Sequence, residues 1–223
     1  MCGRYQRKSD KQQIAEAMRI AGEVFVDPLA EDDDIRPTSM QPIVRQNRDT
    51  GLNDLVLARW GFIPSWQKEG KLPANTFNAR SESVATNGMW KRAFERHRCL
   101  VPADAFFEWQ KLRPRNNPKF SFTLKDGAPL AFAGLWSAWK DPANGHWLQS
   151  FTILTTDANE TMQPVHDRMP VILQPKDWAR WLSREETVQL PLDLLRPLDA
   201  EELIRKPADN SAAETLFPPP DSL

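Results

Sequence analysis

The sequence predicts an α+β domain, a curved or barrel-like, mainly antiparallel sheet with a few flanking helices. Three observations support this fold class. Short apolar segments typical of strands are joined by turns along most of the chain, few segments show helical periodicity, and strands and helices do not alternate as in βαβ units. The 223 residues show no obvious break and suffice for the core of one domain. We expect this domain to span residues 1–205 and the polar, Pro-rich residues 206–223 to form a tail.

The first helix is predicted over residues 9–22. Ser9 and Gln12 have the spacing of a capping box, and Gly22 is a typical residue at which a helix ends. The apolar positions of this segment share one face and are Ile14, Ala17, Met18 and Ala21.

The remaining elements follow in chain order. Six segments have the composition of strands, namely residues 43–45, 55–60, 98–101, 120–124, 130–136 and 151–155. Residues 81–96 predict a second helix that buries Val84, Met89 and Phe94. Pro175 predicts the start of a short third helix, whose apolar face carries Trp178, Trp181 and Leu182.

The charge of the chain bears on its possible partners. The formal net charge of −1 argues against a protein that coats long nucleic acids by bulk electrostatics. The charge is uneven, however. We interpret the acidic run 31–34 as a solvated surface, whereas the basic cluster is either a solvated surface or a site for a few phosphates; it comprises Lys91, Arg92, Arg96, His97 and Arg98.

Apolar segments and cysteines bear on the compartment. The sequence has no apolar run of about 18 residues and no signal-peptide core. Its two cysteines, Cys2 and Cys99, are far apart, which argues against a disulfide framework or a cysteine-based zinc site. We therefore expect a cytoplasmic monomer in a reducing compartment, with Cys99 as a buried structural thiol.

The start of the chain carries a candidate nucleophile. Removal of Met1 would leave Cys2 with a free α-amine and a thiol on adjacent carbons. Their reference pKa values are about 7.7–8.0 and about 8.5, so a fraction of each group is nucleophilic at neutral pH. The amine attacks an aldehyde to give an imine, and the thiol closes onto that imine in a five-membered ring. Cys2 is thus a trap for aldehydes, or else a cysteine that stands second by chance.

Two further motifs carry candidate catalytic groups before the C-terminal third of the chain. In residues 76–82, Asn78 offers a two-sided amide and Arg80 a planar fork for phosphate or carboxylate; the alternative is a helix cap with a surface arginine. In residues 105–109, Glu108 stands among aromatic residues. Buried there, its carboxyl group would favour the neutral acid and serve as a proton donor, whereas on the polar face of a strand it would lie in water.

His166 is the candidate proton shuttle, because imidazole titrates near neutral pH. The adjacent Asp167 and Arg168 are suited to fixing its tautomer, and the alternative is a histidine with a structural role. No second His or Cys stands at ligand spacing, so we expect no metal. Phosphate-cradling glycine motifs are also absent from the sequence, and we expect no organic cofactor.

The segments 60–66 and 89–90 carry aromatic and apolar side chains that could contact the bases of a nucleic acid. Exposed rings stack on unpaired bases, and apolar wedges separate base steps. Most of the nine tryptophans must pack in the core, and we expect Trp60 and Trp136 there but Trp66 at the surface.

Five motifs in order resemble those of the SRAP family, the SOS-response-associated peptidases or abasic-site-processing proteins. They are Met-Cys-Gly-Arg-Tyr, Trp-Gly-Phe-Ile-Pro-Ser-Trp, Asn-Ala-Arg-Ser-Glu, Phe-Phe-Glu-Trp and His-Asp-Arg-Met-Pro, spread over roughly residues 2–182. The resemblance implies that Cys2 joins covalently to the aldehyde of an abasic site in single-stranded DNA. It further implies that Asn78 positions the N-terminal residue or the sugar, that Glu108 is the acid/base carboxylate, and that His166 assists opening of the deoxyribose.

The resemblance also implies DNA contacts. Those to phosphate fall at Arg4, Arg80 and Arg168, and those that separate bases at a single-strand to double-strand junction fall at Trp66 and Met89. The chain departs from the family pattern in residues 35–40, where an Asn-x-x-Pro loop is common. It departs again at Gln67, where a second wedge Trp can occur, so we expect a weaker junction preference.

Two other functions stay open at this point. The first is a cysteine peptidase with Cys2 as nucleophile, His166 as base and Asn78 as orienting group. The second is a non-covalent module that binds intact single strands in a salt-sensitive way.

Overall fold

Two sheets and a few short helices form the fold. The computed structural model describes residues 3–26, 28–68, 75–111, 117–185 and 189–208. Its strands are β1 (Arg4–Arg7), β2 (Val24–Phe25), β3 (Asp32–Ile35), β4 (Met40–Gln46), β5 (Asn53–Trp60), β6 (Asn78–Arg80), β7 (Arg98–Ala103), β8 (Ala105–Trp109), β9 (Lys119–Leu124), β10 (Leu130–Lys140), β11 (Trp147–Asp157), β12 (Arg168–Pro170) and β13 (Leu203–Ala208). The α-helices are α1 (Lys11–Ala17), α2 (Lys91–Arg96) and α3 (Trp178–Leu182), and 3-10 turns cover Ser81–Ser83, Pro175–Asp177, Leu192–Leu194 and Ala200–Glu202.

The smaller sheet is antiparallel throughout, in the order β13-β9-β8-β1-β3. The larger sheet runs β12-β11-β10-β7-β4-β5-β2, and β6 pairs with β11. Because β11 also pairs in parallel with β5, strands β5, β4, β7, β10 and β11 close into a ring. The prediction of a barrel-like, mainly antiparallel sheet with few helices is confirmed.

Strand alternation divides the apolar residues between two cores. The first lies between the sheets, where Tyr5 of β1 packs edge-on against Trp60 of β5 at a centroid distance of 5.1 Å. The second lies between the ring and the helices and contains Ile14, Phe94 and Trp181. Burial of such a side chain contributes about 1.5–3 kcal/mol, so these rings hold the two sheets and the helices in place.

The six predicted strands are confirmed, since they correspond to β4, β5, β7, β9, β10 and β11. Trp60 and Trp136 are buried as predicted, and Trp66 is 60% exposed. Cys99 is a buried free thiol as expected, and burial raises its pKa. The predicted start of the tail at residue 206 falls inside β13, which pairs with β9 as far as Ala208; residues 209–223 lie outside the described residues.

The first helix is shorter than predicted: it begins at Lys11 and its N-cap is Asp10 instead of Ser9. Asp10 is the N-cap: its carboxylate accepts from the backbone of Gln12 and Gln13, and the Gln13 side chain accepts from the Asp10 backbone N–H. Ser9 is held outside the helix, because its hydroxyl and its backbone N–H both donate to the carboxylate of Asp104, at 2.7 and 2.8 Å. The helix ends at Ala17, since Arg19 takes a positive φ of 51°.

Only part of the predicted apolar face is buried. Ile14 and Met18 pack in the second core, whereas Ala17 and Ala21 are exposed. Gly22 does not end the helix. It is required by close packing, because a Cβ there would lie 2.6 Å from the carbonyl oxygen of Asn53.

The prediction of one helix over residues 81–96 is wrong. A 3-10 turn covers Ser81–Ser83, and α2 begins only at Lys91. Asn87 separates them: its side chain accepts from the Met89 backbone N–H at 2.9 Å, which stabilises a turn and not a continuous helix. Val84 and Phe94 are buried as predicted, and Met89 is half-buried. The third helix starts at Pro175 with a 3-10 turn and buries Trp181 and Leu182, as predicted.

His97 makes the fold sensitive to acid. Its ring lies 4.6 Å from that of Trp136. Burial lowers the pKa of His97 from 6.5 to about 4, and the nearby arginines, Arg184 foremost, act in the same direction. The unfolded chain therefore binds more protons between these values, so stability is fully present above pH 6.5 and is lost as the pH falls towards 4. We expect His97 to account for a loss of roughly 1–3 kcal/mol in the free energy of unfolding over that range.

Urea unfolding at pH 7.0 and pH 4.5 tests this expectation. The His97→Gln variant should show a smaller difference between the two pH values than the wild type. His146, which lies on the exposed turn between β10 and β11, supplies the control variant His146→Gln, which should keep the full difference. An equal pH dependence in all three proteins would contradict the assignment.

Candidate active site

Glu108 lies in the middle strand of the smaller sheet, between β1 and β9. It is 5% exposed, so the alternative that places it in water is wrong. The next residue, Trp109, lies under the guanidinium of Arg4, at 5.3 Å from the ring centroid, and near the ammonium of Lys119, at 5.7 Å. A buried carboxyl group beside aromatic rings is the environment that the acid/base role requires, although the role itself stays a prediction.

His166 lies in the loop that joins β11 to β12. The loop is held against the smaller sheet because the Gln110 side chain donates to the carbonyl oxygen of Pro164 at 2.8 Å. Within the loop, the His166 backbone N–H donates to the carbonyl oxygen of Met162 at 3.1 Å. Gln110 follows Glu108 by two residues, just after β8 ends, so this bond brings His166 within electrostatic range of Glu108.

Two neighbours compete for Nδ1 of His166. The backbone N–H of Arg168 lies 3.0 Å away and can donate to it, while Oδ1 of Asp167 lies 2.8 Å away and can only accept. Burial lowers the pKa of His166, opposed by the carboxylates of Glu108 and Asp167. The ring is therefore neutral at neutral pH. Its proton lies on Nε2 where Nδ1 accepts from Arg168, and on Nδ1 where Nδ1 donates to Asp167.

Asn78 is placed by β6, which pairs in parallel with β11 so that Asn78 stands opposite Ile153. Its neighbour Phe77 is fixed because the carbonyl oxygen of Phe77 accepts from the indole N–H of Trp60 at 2.8 Å and from the Ile153 backbone. Asn78 is 9% exposed. Since Trp60 also packs on Tyr5 of β1, the start of the chain and the Asn78 strand share one anchor.

Arg168 forms the tightest ion pairs of the site. Its guanidinium contacts both carboxylate oxygens of Glu82, at 2.6 and 3.0 Å, and Asp157 at 2.7 Å. Hydrogen bonds from Arg168 lower the pKa of Glu82, against the opposing effect of burial. The charge of Arg168 is thus already countered by two carboxylates, and the side chain ties the 3-10 turn after β6 to β12.

The other two predicted phosphate ligands differ in exposure. Arg4 forms an ion pair with Asp34 at 3.0 Å and is partly buried. Arg80 is exposed at the end of β6. Of the three arginines, Arg80 therefore offers the most accessible guanidinium.

Trp66 and Met89 are presented differently. The segment around Trp66 is anchored because the indole of Trp139 donates to the carbonyl oxygen of Gln67 at 2.7 Å, which leaves the Trp66 ring in solvent. Met89 packs partly against the second core and offers only part of its side chain.

Among the predicted site residues, Glu108 lies within electrostatic range of His166, and Arg4 lies on the strand next to that of Glu108. In the register of β1 with β8, Arg4 stands opposite Phe107, so the chain enters the sheet beside Glu108. Cys2 lies outside the described residues. Glu82, Asp157 and Gln110 are site residues that the sequence reasoning missed, although Glu82 belongs to the Asn-Ala-Arg-Ser-Glu motif and Gln110 follows Glu108 at strand spacing.

Two further observations concern membranes and metals. No helix among the described ranges is long and apolar enough to cross a membrane. In the same ranges, no group of three or more His, Cys, Asp and Glu side chains is arranged to hold a metal ion.

Comparison with known proteins gives consistent matches. The family described as SOS response associated peptidase (SRAP) matches residues 1–213. The abasic site processing protein YoqW of Bacillus subtilis (strain 168) is 34% identical over 224 residues, which cover 95% of this chain and 97% of that protein. The abasic site processing protein HMCES of Xenopus tropicalis is 32% identical over 191 residues, which cover 73% of this chain and 57% of HMCES.

Solved structures share the fold. A crystal structure from Bacteroides thetaiotaomicron superposes with a TM-score of 0.85 at 23% identity and covers 96% of this chain and 94% of that one. A second, from Bordetella bronchiseptica, gives a TM-score of 0.78 at 28% identity, with coverage of 93% and 100%.

Proposed function

The chain belongs to the SOS response associated peptidase (SRAP) family, and on that premise we propose that it processes abasic sites in single-stranded DNA by covalent attachment through Cys2. The observation that carries this proposal is the buried Glu108, coupled to a neutral His166 and placed beside the strand through which the chain enters the sheet. An acid/base pair at that place can transfer protons in a reaction of Cys2, two residues before β1.

The first step is the opening of the sugar. An abasic deoxyribose is mostly a closed hemiacetal, and its opening removes the proton of the C1′ hydroxyl and protonates the ring oxygen. We assign the proton transfer to Glu108, whose carboxylate takes the hydroxyl proton and returns it to the ring oxygen. The Nε2–H of His166 donates a hydrogen bond to that oxygen and stabilises it as the C–O bond breaks. Asn78, fixed by β6 and β11, offers an amide that can bind the sugar or the reacting amine.

The second step joins protein and DNA. After removal of Met1, the amine of Cys2 adds to the aldehyde and water leaves, which gives an imine. The thiol then adds across the C=N bond, its sulfur to carbon and its proton to nitrogen, which closes a thiazolidine. One water is lost overall and no redox partner is needed. Because the ring no longer contains an imine, it cannot drive strand cleavage by β-elimination, so the product shields the lesion and each protein molecule reacts once.

An oligonucleotide assay tests the proposal. A labelled single strand with one abasic site should give an adduct that survives heat and SDS, while the same strand with an intact base gives none. Mass spectrometry should find the sum of the oligonucleotide and the protein lacking Met1, minus one water. An unreacted protein at saturating DNA would overturn the proposal.

The alternative function is the peptidase activity named in the family description, which would use Cys2 as nucleophile, His166 as base and Asn78 as orienting group. Turnover of a peptide library by the purified protein, lost on Cys2→Ala, would favour it. A non-covalent binding module would instead bind intact and abasic strands equally well.

Trp66 supplies a prediction for DNA binding. Since its ring is exposed, Trp66→Ala should leave the free energy of unfolding unchanged. A stacked base is worth about 1–3 kcal/mol, so the Kd for single-stranded DNA should rise about 5- to 150-fold. Fluorescence anisotropy measures the Kd. Trp147→Ala is the matched control because Trp147 is another exposed tryptophan, at 67% against 60% for Trp66. Equal affinities of the two variants would remove Trp66 from the binding surface.

A further inference from the structure

A polar groove of about 570 Å³ lies between the end of β4, the end of α2 and the segment after α3. Its lining carries four arginines and one carboxylate, Glu185; the arginines are Arg48, Arg92, Arg96 and Arg184. We call these five residues and the space between them the basic groove. Positive charge is thus concentrated in the groove, although the formal net charge of the whole chain is −1. Two of the arginines belong to the basic cluster that the sequence offers for phosphates.

A buried arginine builds the groove. Arg98 is 6% exposed and donates to the carbonyl oxygens of Phe94 and Trp181, at 2.6 Å each, and to that of Ser183. One guanidinium therefore satisfies the carbonyl ends of both α2 and α3. Burial lowers the pKa of Arg98 to about 10, so it remains a cation at neutral pH. It holds Arg96, the last residue of α2, near Arg184, which lies two residues after α3.

The β4 side of the groove is fixed as well. The Arg184 backbone N–H donates to the side chain of Gln46 at 3.1 Å. Arg45, which precedes Gln46 in β4, lies with its guanidinium carbon 4.4 Å from the ring centroid of Trp136. The ring of Trp136 also packs against His97. The walls of the groove are therefore held by packing and hydrogen bonds within the fold.

Like charges face each other across this space. Burial lowers the pKa of Arg184, and Arg48 and Arg96 lower it further. Among the described neighbours, Asp54 acts on Arg45 and Glu185 lies on the rim. A bound anion would relieve this repulsion.

The chemistry of the lining selects the anion. Guanidinium groups bind phosphate through paired N–H donors. Among the described residues that line the groove, the one ring is that of His97, and it already packs on Trp136, so no aromatic face is presented to a base. Contacts to phosphates without contacts to bases are typical of the recognition of a nucleic-acid backbone.

We propose that the basic groove binds consecutive phosphates of a nucleic-acid backbone, apart from the residues that would hold the abasic sugar. The proposal rests on the proposed function in taking nucleic acid as the partner. Arg92 and Arg96 follow Met89 by three and seven residues, which at 1.5 Å per helical residue places them within about 10 Å along the chain. A nucleic-acid strand in contact with Met89 would therefore reach the basic groove two or three nucleotides further along.

A double variant, Arg92→Gln with Arg184→Gln, tests the groove. Its binding to an intact 20-nucleotide single strand and to an intact 20-base-pair duplex is measured by anisotropy over a range of salt. We expect the Kd to rise about tenfold or more for at least one of the two DNAs, and the slope of log K against log salt to become shallower by about 1.4–1.8 for that DNA. The control Arg19→Gln with Arg180→Gln removes the same charge from an exposed and a half-buried position outside the groove and should keep the wild-type slope.

Three outcomes decide the matter. Slopes and affinities equal to those of the control for both DNAs would overturn the proposal, provided that urea unfolding shows both variants folded. Binding of inorganic pyrophosphate that is lost in the double variant, without any change in DNA binding, would also overturn it and identify a site for small anions. Because intact DNA has no aldehyde, a wild type that fails to crosslink yet shows the expected change in slope would refute the proposed function and support the groove.

Discussion

Replacing Cys2 with alanine is expected to abolish the heat- and SDS-stable adduct with abasic single-stranded DNA. The variant keeps an α-amine, so it can still form an imine, but it has no thiol to close the ring. The imine hydrolyses or drives β-elimination, so the adduct should fall below detection while strand cleavage rises. Denaturing gels of the same reaction report both products, and borohydride should trap the imine of the variant.

The second cysteine supplies the matched control. Cys99 is buried and its pKa is raised, so Cys99→Ala should form the adduct at the wild-type rate. A stable adduct from Cys2→Ala in equal yield would contradict the assignment of the nucleophile. Intact mass of the purified wild type adds an independent condition, since a retained Met1 or a blocked amine is incompatible with this chemistry.

Replacing Glu108 with glutamine should slow adduct formation by about 10²- to 10⁴-fold, the usual contribution of a positioned acid or base. Glutamine has nearly the same shape, so the buried position stays filled while its ability to transfer a proton is lost. The observed rate constant is measured at saturating abasic DNA. Glu160→Gln, an exposed site in the His166 loop, is the control and should react like the wild type.

A titration separates a catalytic role of Glu108 from a purely structural one. The carboxylate of Glu108 raises the pKa of His166 against the effect of burial, so Glu108→Gln should lower that pKa further. NMR of the imidazole C–H protons reports the shift, and the acidic limb of the pH–rate profile should move in the same direction. A rate within threefold of the wild type, or an unmoved His166 titration, would remove Glu108 from the proton transfer.

Six of the thirteen strands in the described residues were predicted, because burial imposes the pattern of their apolar residues locally. The boundaries of the helices were not. Ser9 and Asp10 both suit an N-cap, and the choice is decided by Asp104, a residue 95 positions away that binds the Ser9 hydroxyl. Residues 81–96 have helical composition, but Asn87 forms a turn there. In both places a hydrogen bond of the folded chain overrides helix propensity.

The sequence by itself determined which chemical groups the site contains and that strands dominate the fold, because residue identity and apolar alternation are local properties. The tertiary structure alone decided which groups meet. The parallel pairing of β11 with β5 closes the ring, and its pairing with β6 places Asn78. The hydrogen bond from Gln110 to Pro164 positions His166 near Glu108. Two carboxylates form ion pairs with Arg168. These are contacts between residues far apart in the chain, and they form only when the burial of two cores offsets the entropy lost in closing the loops between them.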